Sequence, residues 1–344
     1  MRSFKTALCK VALFTLIFAL ICSPVVCVYL KNGSENNNIN AQLEEEKGKI
    51  DFLFCGASQS VWGFIPLVMD AELACNSFNI SSGLLSMEGR YTIIRKVAQD
   101  NPVKNLVLDL SYNSILREDK TDSVEGELLL EERLHGMERI RYYCTHTKVD
   151  EIFPSFYYVM RTGMYSILHS FSAKPDRGMY FGKGYWGEKA AIDQRRDVRW
   201  KTGDRQSAPE PVDIPEENLV YLEKIMQFCK ENGIRVYLIT TAYPTGVISW
   251  SDRDGLLQAH VKLARQYGCP FYDVNLLRDK DKWFDDETSY YDVEHTSTQG
   301  AVAQTKLLAS WIRSASPGVG EDAQFYDSYA DMIDAYLARS PEKS

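Results

Sequence analysis

Two short blocks of the 344-residue chain carry residues that can do covalent chemistry. The first is Gly56-Ala57-Ser58-Gln59, the only G-x-S in the sequence, directly after the apolar run Asp51–Cys55. A serine hydroxyl is a weak nucleophile at its own pKa and needs an adjacent base held by a third group. Of His135, His146, His169, His260 and His295, only His295 has an aspartate three residues before it, in Asp292-Val293-Glu294-His295. That spacing lets Asp292 reach Nδ1 and leaves Nε2 to take the Ser58 proton. Each block also has a plain reading. Gly56 and Ser58 suit a turn or a helix cap, and Asp292-x-x-His295 suits a surface loop in which Thr296 or Ser297 caps the next helix.

The elements around these blocks decide between the readings. Short apolar runs alternate with helical stretches, the pattern of βα units and a parallel sheet. The expected strands are Asp51–Cys55, Ala74–Asn79, Asn105–Leu110, Arg235–Thr240 and Pro270–Val274, and the expected helices Ser86–Gln99, Pro215–Asn232, Asp252–Tyr267 and Gln299–Arg313. In such a sheet ligands bind outside the carboxyl ends of the strands. A serine after the first strand and an Asp-His pair before the last helix therefore meet at one edge. Between strands three and four an aromatic-rich insertion, 117–213, is read as helices and loops over that edge or as a solvated appendage. Within it Tyr185 and Trp186 either stack on a sugar ring or pack in the insertion's own core.

The two ends of the chain differ in charge. The net charge is −8, yet the first 31 residues hold Arg2, Lys5, Lys10 and Lys31 and no acid, so the remainder carries −12. Val11–Leu30 is free of charge and long enough to cross the ~30 Å hydrocarbon layer. With Arg2, Lys5 and Lys10 before it, the positive-inside rule places the rest of the chain outside the cell. An uncleaved anchor fits better than a signal peptide, whose apolar core is shorter and ends in a small-x-small site. The expected organisation is a cytoplasmic stub and anchor over 1–31, a polar linker over 32–48, one domain over 49–316 and an acidic helical tail over 317–344.

The acidic outer part disfavours nucleic-acid binding. Eight cysteines without a C-x-x-C indicate neither a zinc ribbon nor a disulfide framework, and a single Asp-x-x-His pair is too little for a metal centre. No cofactor is expected.

Together, Gly56-x-Ser58 after strand one and Asp292-x-x-His295 before the last helix resemble the SGNH/GDSL hydrolase superfamily. More narrowly, the chain resembles its membrane-anchored exported branch, with the teichoic-acid D-alanyl transfer proteins and alginate-type O-acetyltransferases. The resemblance spans about Asp51 to Ile312. It implies a flavodoxin-like three-layer α/β/α fold with a five-stranded parallel sheet of order 2-1-3-4-5. It also implies Ser58 as nucleophile, His295 as base, Asp292 as its orienter, and Gly83 and Asn113 as oxyanion-hole residues. Asn113 stands in Leu110-Ser111-Tyr112-Asn113 where the family has Gly-x-Asn-Asp, and Thr296-Ser297 replaces the usual Leu-Asn after the histidine. The implied function is an extracytoplasmic serine esterase or O-acyltransferase on cell-envelope polysaccharide. Transfer would need a multispanning exporter to deliver the acyl donor. The alternative is a degenerate protein of this fold that binds glycan or an envelope partner.

Overall fold

The computed structural model describes residues 35–111, 115–116, 180–187, 212–245, 253–292 and 294–339, with 10, 11, 13, 14, 16–18 and 137. The chain divides into two compact units, Met1–Asn38 with Leu134–Gly178, and Ile39–Arg133 with Met179–Ser344. In the first, the described residues between Lys10 and Phe18 are helical, and the rings of Phe14 and Phe18 stack at 6.2 Å. Most of the expected span Val11–Leu30 lies outside the described residues. Among those described, no helix is long and apolar enough to cross a membrane.

The second unit runs α1 (Glu35–Glu45, entered from Ile39), β1 (Phe52–Cys55), α2 (Ser58–Gly63), α3 (Pro66–Leu73), β2 (Ser77–Asn79), α4 (Met87–Asp100) and β3 (Asn105–Asp109). After the hairpin strands β4 (Tyr180–Gly182) and β5 (Tyr185–Trp186) come α5 (Glu216–Glu231), β6 (Arg235–Thr240), α6 (Arg253–Tyr267) and β7 (Phe271–Asp273). A 3₁₀ turn (Val274–Leu276), α7 (Lys280–Trp283), α8 (Thr298–Ser314) and α9 (Tyr329–Arg339) complete it.

Five strands form one parallel sheet in the order β2-β1-β3-β6-β7. Numbered along the whole chain this is 2-1-3-6-7; the expected 2-1-3-4-5 counted the five sheet strands alone, and the insertion contributes two strands of its own. They form a separate antiparallel ladder where only helices and loops were expected. Successive side chains of a strand point to opposite faces, and Phe52, Leu53, Phe54 and Cys55 are all at most 1% exposed, so both faces of the sheet are covered. α8 packs on α2 and α3, and α5 packs on α4.

Local sequence explains the boundaries. Ser86 caps α4 by accepting the Gly89 N–H at 2.9 Å. β2 begins at Ser77 and not at Ala74, because α3 runs to Leu73 and Ala74 closes it in a left-handed conformation, φ 52°. In the β4–β5 turn Lys183 and Gly184 both have positive φ, and Lys183 O accepts the Asn79 N–H at 2.9 Å, docking the hairpin on the end of β2. A Cβ on Gly184 would lie 1.8 Å from Asn79 O, so only glycine fits.

Two segments differ from the sequence expectation. Residues 32–48 read as linker, yet α1 forms there and buries Ile39 and Leu43, an i, i+4 pair too short to register as periodicity. The tail after Ser316, set apart from the 49–316 domain in that expectation, forms the helix α9 and packs on the domain. Val319 N–H bonds to Phe271 O at 2.8 Å, and Phe325, Tyr326, Tyr329, Met332 and Ile333 are buried. Cys55 and Cys229 are buried free thiols, pushed up to about 12 by burial, and Cys144 lies outside the described residues.

Candidate active site

The carboxyl ends of β1 and β3 meet at Gly56. A Cβ there would lie 2.6 Å from Asp109 Cβ and 2.6 Å from Ser60 Cβ, so the turn leaving β1 closes only with glycine. Ser58 follows as the first residue of α2. It is half-buried, and its backbone N–H makes no hydrogen bond within the described residues, as first-turn amides of a helix do.

His295 reaches Ser58 from the loop between α7 and α8, with Nε2 2.9 Å from Ser58 Oγ. Its Nδ1 lies 3.0 and 2.9 Å from the two Asp292 oxygens. A carboxylate at Nδ1 fixes the tautomer with the proton on that nitrogen and leaves Nε2 to accept from the serine. Asp292 is itself held by the chain around it. Its Oδ1 accepts the N–H groups of Glu294 and His295, each at 2.7 Å, and His295 O accepts the Tyr291 N–H at 2.9 Å. Burial pushes the Asp292 carboxyl up, but the His295 and Glu294 donors outweigh it and hold it below the ordinary aspartate value. Thr296 Oγ1 donates to Trp62 O at 2.9 Å, tying this loop to α2. Ser297 caps α8, its Oγ accepting from Gly300 N at 3.2 Å.

A buried polar layer supports the turns. Asp109 Oδ1 accepts the Ser111 N–H at 2.9 Å and the Ser111 hydroxyl, and Ser111 Oγ lies 3.0 Å from Thr241 Oγ1. Arg90, fully buried, donates to Asp109 O at 2.6 Å and Leu85 O at 3.1 Å. Burial raises the Asp109 pKa, and the Arg90 charge and Ser111 bonds pull against it. Farther along the edge, buried Lys280 donates to Tyr243 O at 2.5 Å and Asn275 Oδ1 at 3.3 Å, and burial brings it down to about 8.

Among the residues singled out in the sequence, the structure brings Ser58, Asp292 and His295 together. Gly83 lies in the turn after β2, one residue beyond Ser82, whose N–H bonds to Gly56 O at 3.3 Å. A Cβ on Gly83 would meet nothing within 4 Å, so neither packing nor φ demands glycine and the space beside it is open. Asn113 lies outside the described residues. Tyr185 and Trp186 are not placed to stack on a sugar. They are 1% and 6% exposed, with Tyr185 packed on Ile65 and Ala301 and Trp186 against Tyr180 at 4.9 Å. Docking of the hairpin on β2 buries both residues although they point to opposite faces of β5, and an exposed Gly-Tyr-Trp-Gly loop cannot be told from a buried hairpin by composition.

Sequence reasoning did not find Trp62 or Asp109. The ring of Trp62 lies 5.6 Å from the His295 imidazole and 4.9 Å from Tyr291. Its signal was the four-residue spacing from Ser58, visible only once α2 is recognised as a helix. Asp109 interrupts the apolar run Leu106–Leu110 at the end of a strand, the usual sign of a polar group kept at a site.

No protein-family model matches the chain, and no curated protein matches it. Among solved structures it is similar to a crystal structure from Bacteroides fragilis described as a "putative acylhydrolase", with 13% identity over 80% of this chain and 94% of that one and a TM-score of 0.37.

Proposed function

We propose that the chain is a serine ester hydrolase or O-acyltransferase with Ser58 as nucleophile, His295 as general base and acid, and Asp292 as the group that orients the imidazole. The observation that carries this reading is the unbroken line from Asp292 through Nδ1 and Nε2 of His295 to Ser58 Oγ, every step at 3.0 Å or less.

The chemistry follows from that line. Ser58 Oγ attacks the ester carbonyl carbon while its proton passes to His295 Nε2. The carbonyl oxygen becomes an oxyanion facing the Ser58 N–H, with the Gly83 turn as the second donor suggested by the family resemblance. As the tetrahedral intermediate collapses, the alcohol leaves with the proton from Nε2, and the acyl group remains on Ser58. Water or a sugar hydroxyl then attacks the acyl carbon, giving its proton to Nε2, which returns it to Ser58. Water as acceptor makes the protein a hydrolase, and a hydroxyl makes it a transferase. Asp292 remains ionised throughout and stabilises the imidazolium.

On the same reading Val11–Leu30 anchors the chain with its catalytic unit outside the cell, the substrates are acyl groups of cell-envelope polysaccharide, and a multispanning exporter supplies the donor if transfer occurs. The charge-free run, the basic residues before it and the family resemblance support this part.

Turnover of p-nitrophenyl acetate by the full chain in detergent tests the chemistry. The wild type is expected to hydrolyse it and Ser58→Ala to lose about 10³-fold or more in kcat. Full turnover by Ser58→Ala would exclude the mechanism.

A further inference from the structure

Trp62 lies four residues after Ser58 on α2, so the two side chains stand one turn apart on the same face of the helix. Its ring is tilted 45° to the His295 imidazole and 30° to the Tyr291 ring, which lies beside it at 4.9 Å. Both Trp62 and Tyr291 are only partly buried. Within the described residues the Trp62 indole N–H donates to no group and is not a buried atom, so it is a donor open to solvent beside the nucleophile.

The direction of the chemistry assigns this side of the site. In ester cleavage the alcohol leaves with a proton from Nε2, and in transfer the acceptor hydroxyl gives its proton to Nε2. The alcohol portion of the substrate therefore sits on the histidine side of Ser58, and the acyl portion lies away from it. Trp62 packs on the imidazole and Tyr291 packs on Trp62, so the pair flanks the alcohol. We propose that these two residues form the subsite for a pyranose ring, so that the ester is borne by a sugar; this inference rests on the serine-esterase reading of the triad. A long acyl or alkyl chain would call for an enclosed apolar slot. Two partly exposed rings, each with a polar tip, suit a sugar instead: its C–H face lies on the negative ring face and its hydroxyls reach the indole N–H and the phenol.

The test compares two acetate esters with the full chain, a mono-O-acetylated methyl glucopyranoside and ethyl acetate. Wild type is expected to prefer the sugar ester in kcat/KM. In Trp62→Ala and separately in Tyr291→Ala that preference is expected to fall about tenfold, mainly through KM for the sugar ester, with Trp62→Tyr retaining most of it. An equal loss on both esters would mean that the rings merely support His295, and this overturns the proposal. Equal wild-type use of the two esters also overturns it. Failure of the wild type on both esters removes the esterase reading itself, a result distinct from the loss of the preference alone.

Discussion

The Asp109 carboxyl is pressed against Gly56, so that a methyl group on Gly56 would stand 2.9 Å from Asp109 Oδ2 as well as 2.6 Å from Cβ. The end of β3 thereby sets the path of the chain two residues before Ser58. Gly56→Ala must push the turn or the strand end aside. Overpacking of this kind costs about 1–3 kcal/mol. The variant is expected to unfold at lower urea and, because Ser58 Oγ shifts relative to Nε2, to lose about a hundredfold in kcat. Urea midpoints and ester turnover measured on the same sample check both effects.

His260 gives the protein an acid limb. It is fully buried against Phe271 at 5.1 Å, its Nε2 has no partner within the described residues, and burial, aided by the Arg253 charge, brings its pKa down to about 3. The unfolded chain takes up a proton near 6.5, so the stabilisation is complete above that pH and is lost as pH falls from 6.5 toward 3. The expected slope is about 1.4 kcal/mol per pH unit. His260→Leu should flatten this limb when urea midpoints are compared between pH 7 and pH 5, and an unchanged slope would show that His260 is not buried neutral.

Lys280 acts at the other end of the scale. Its buried ammonium holds Tyr243 O, and its pKa of about 8 lies below the ordinary 10.5. The folded protein therefore binds fewer protons than the unfolded chain between these values, and stability gains a contribution as pH rises from 8 toward 10.5. Across that window the gain is roughly 3 kcal/mol. Lys280→Met should remove the rise, which chemical denaturation at pH 7.5 and 9.5 would detect.

The sheet and the meeting of Ser58, His295 and Asp292 were legible because each rests on local signals. Buried parallel strands read as short, mainly apolar runs, and Asp292 reaches His295 within one turn of chain. The pairing of Ser58 with His295, 237 residues apart, needed only the rule that ligands gather at the strand ends. What was not legible depends on packing between distant segments. The burial of Tyr185 and Trp186 is decided by the docking of the Lys183 turn on Asn79, and the helix at Glu35–Glu45 by two side chains, Ile39 and Leu43. The tail was expected to be helical, and α9 forms there, but its packing on the sheet again rests on contacts between distant segments.

Tyr329 ties that tail to the sheet. Its hydroxyl donates to Asp273 Oδ2 at 2.6 Å, and its backbone N–H bonds to Asp254 Oδ1 at 2.7 Å. Tyr329→Phe leaves a buried carboxyl oxygen without its donor, and about 1–3 kcal/mol of stability should be lost. A denaturation midpoint equal to that of the wild type would show that α9 adds nothing to the core.

Activation of Ser58 by His295 is the step on which the proposed function stands. The most direct measurement is intact-mass and peptide mapping of the full chain after exposure to a fluorophosphonate, which adds covalently only to an activated serine. A single phosphonyl adduct is expected on the peptide containing Ser58, absent in Ser58→Ala and at least about a hundredfold slower to form in His295→Ala. Absence of an adduct on Ser58, or labelling at the same rate in His295→Ala, would contradict that activation.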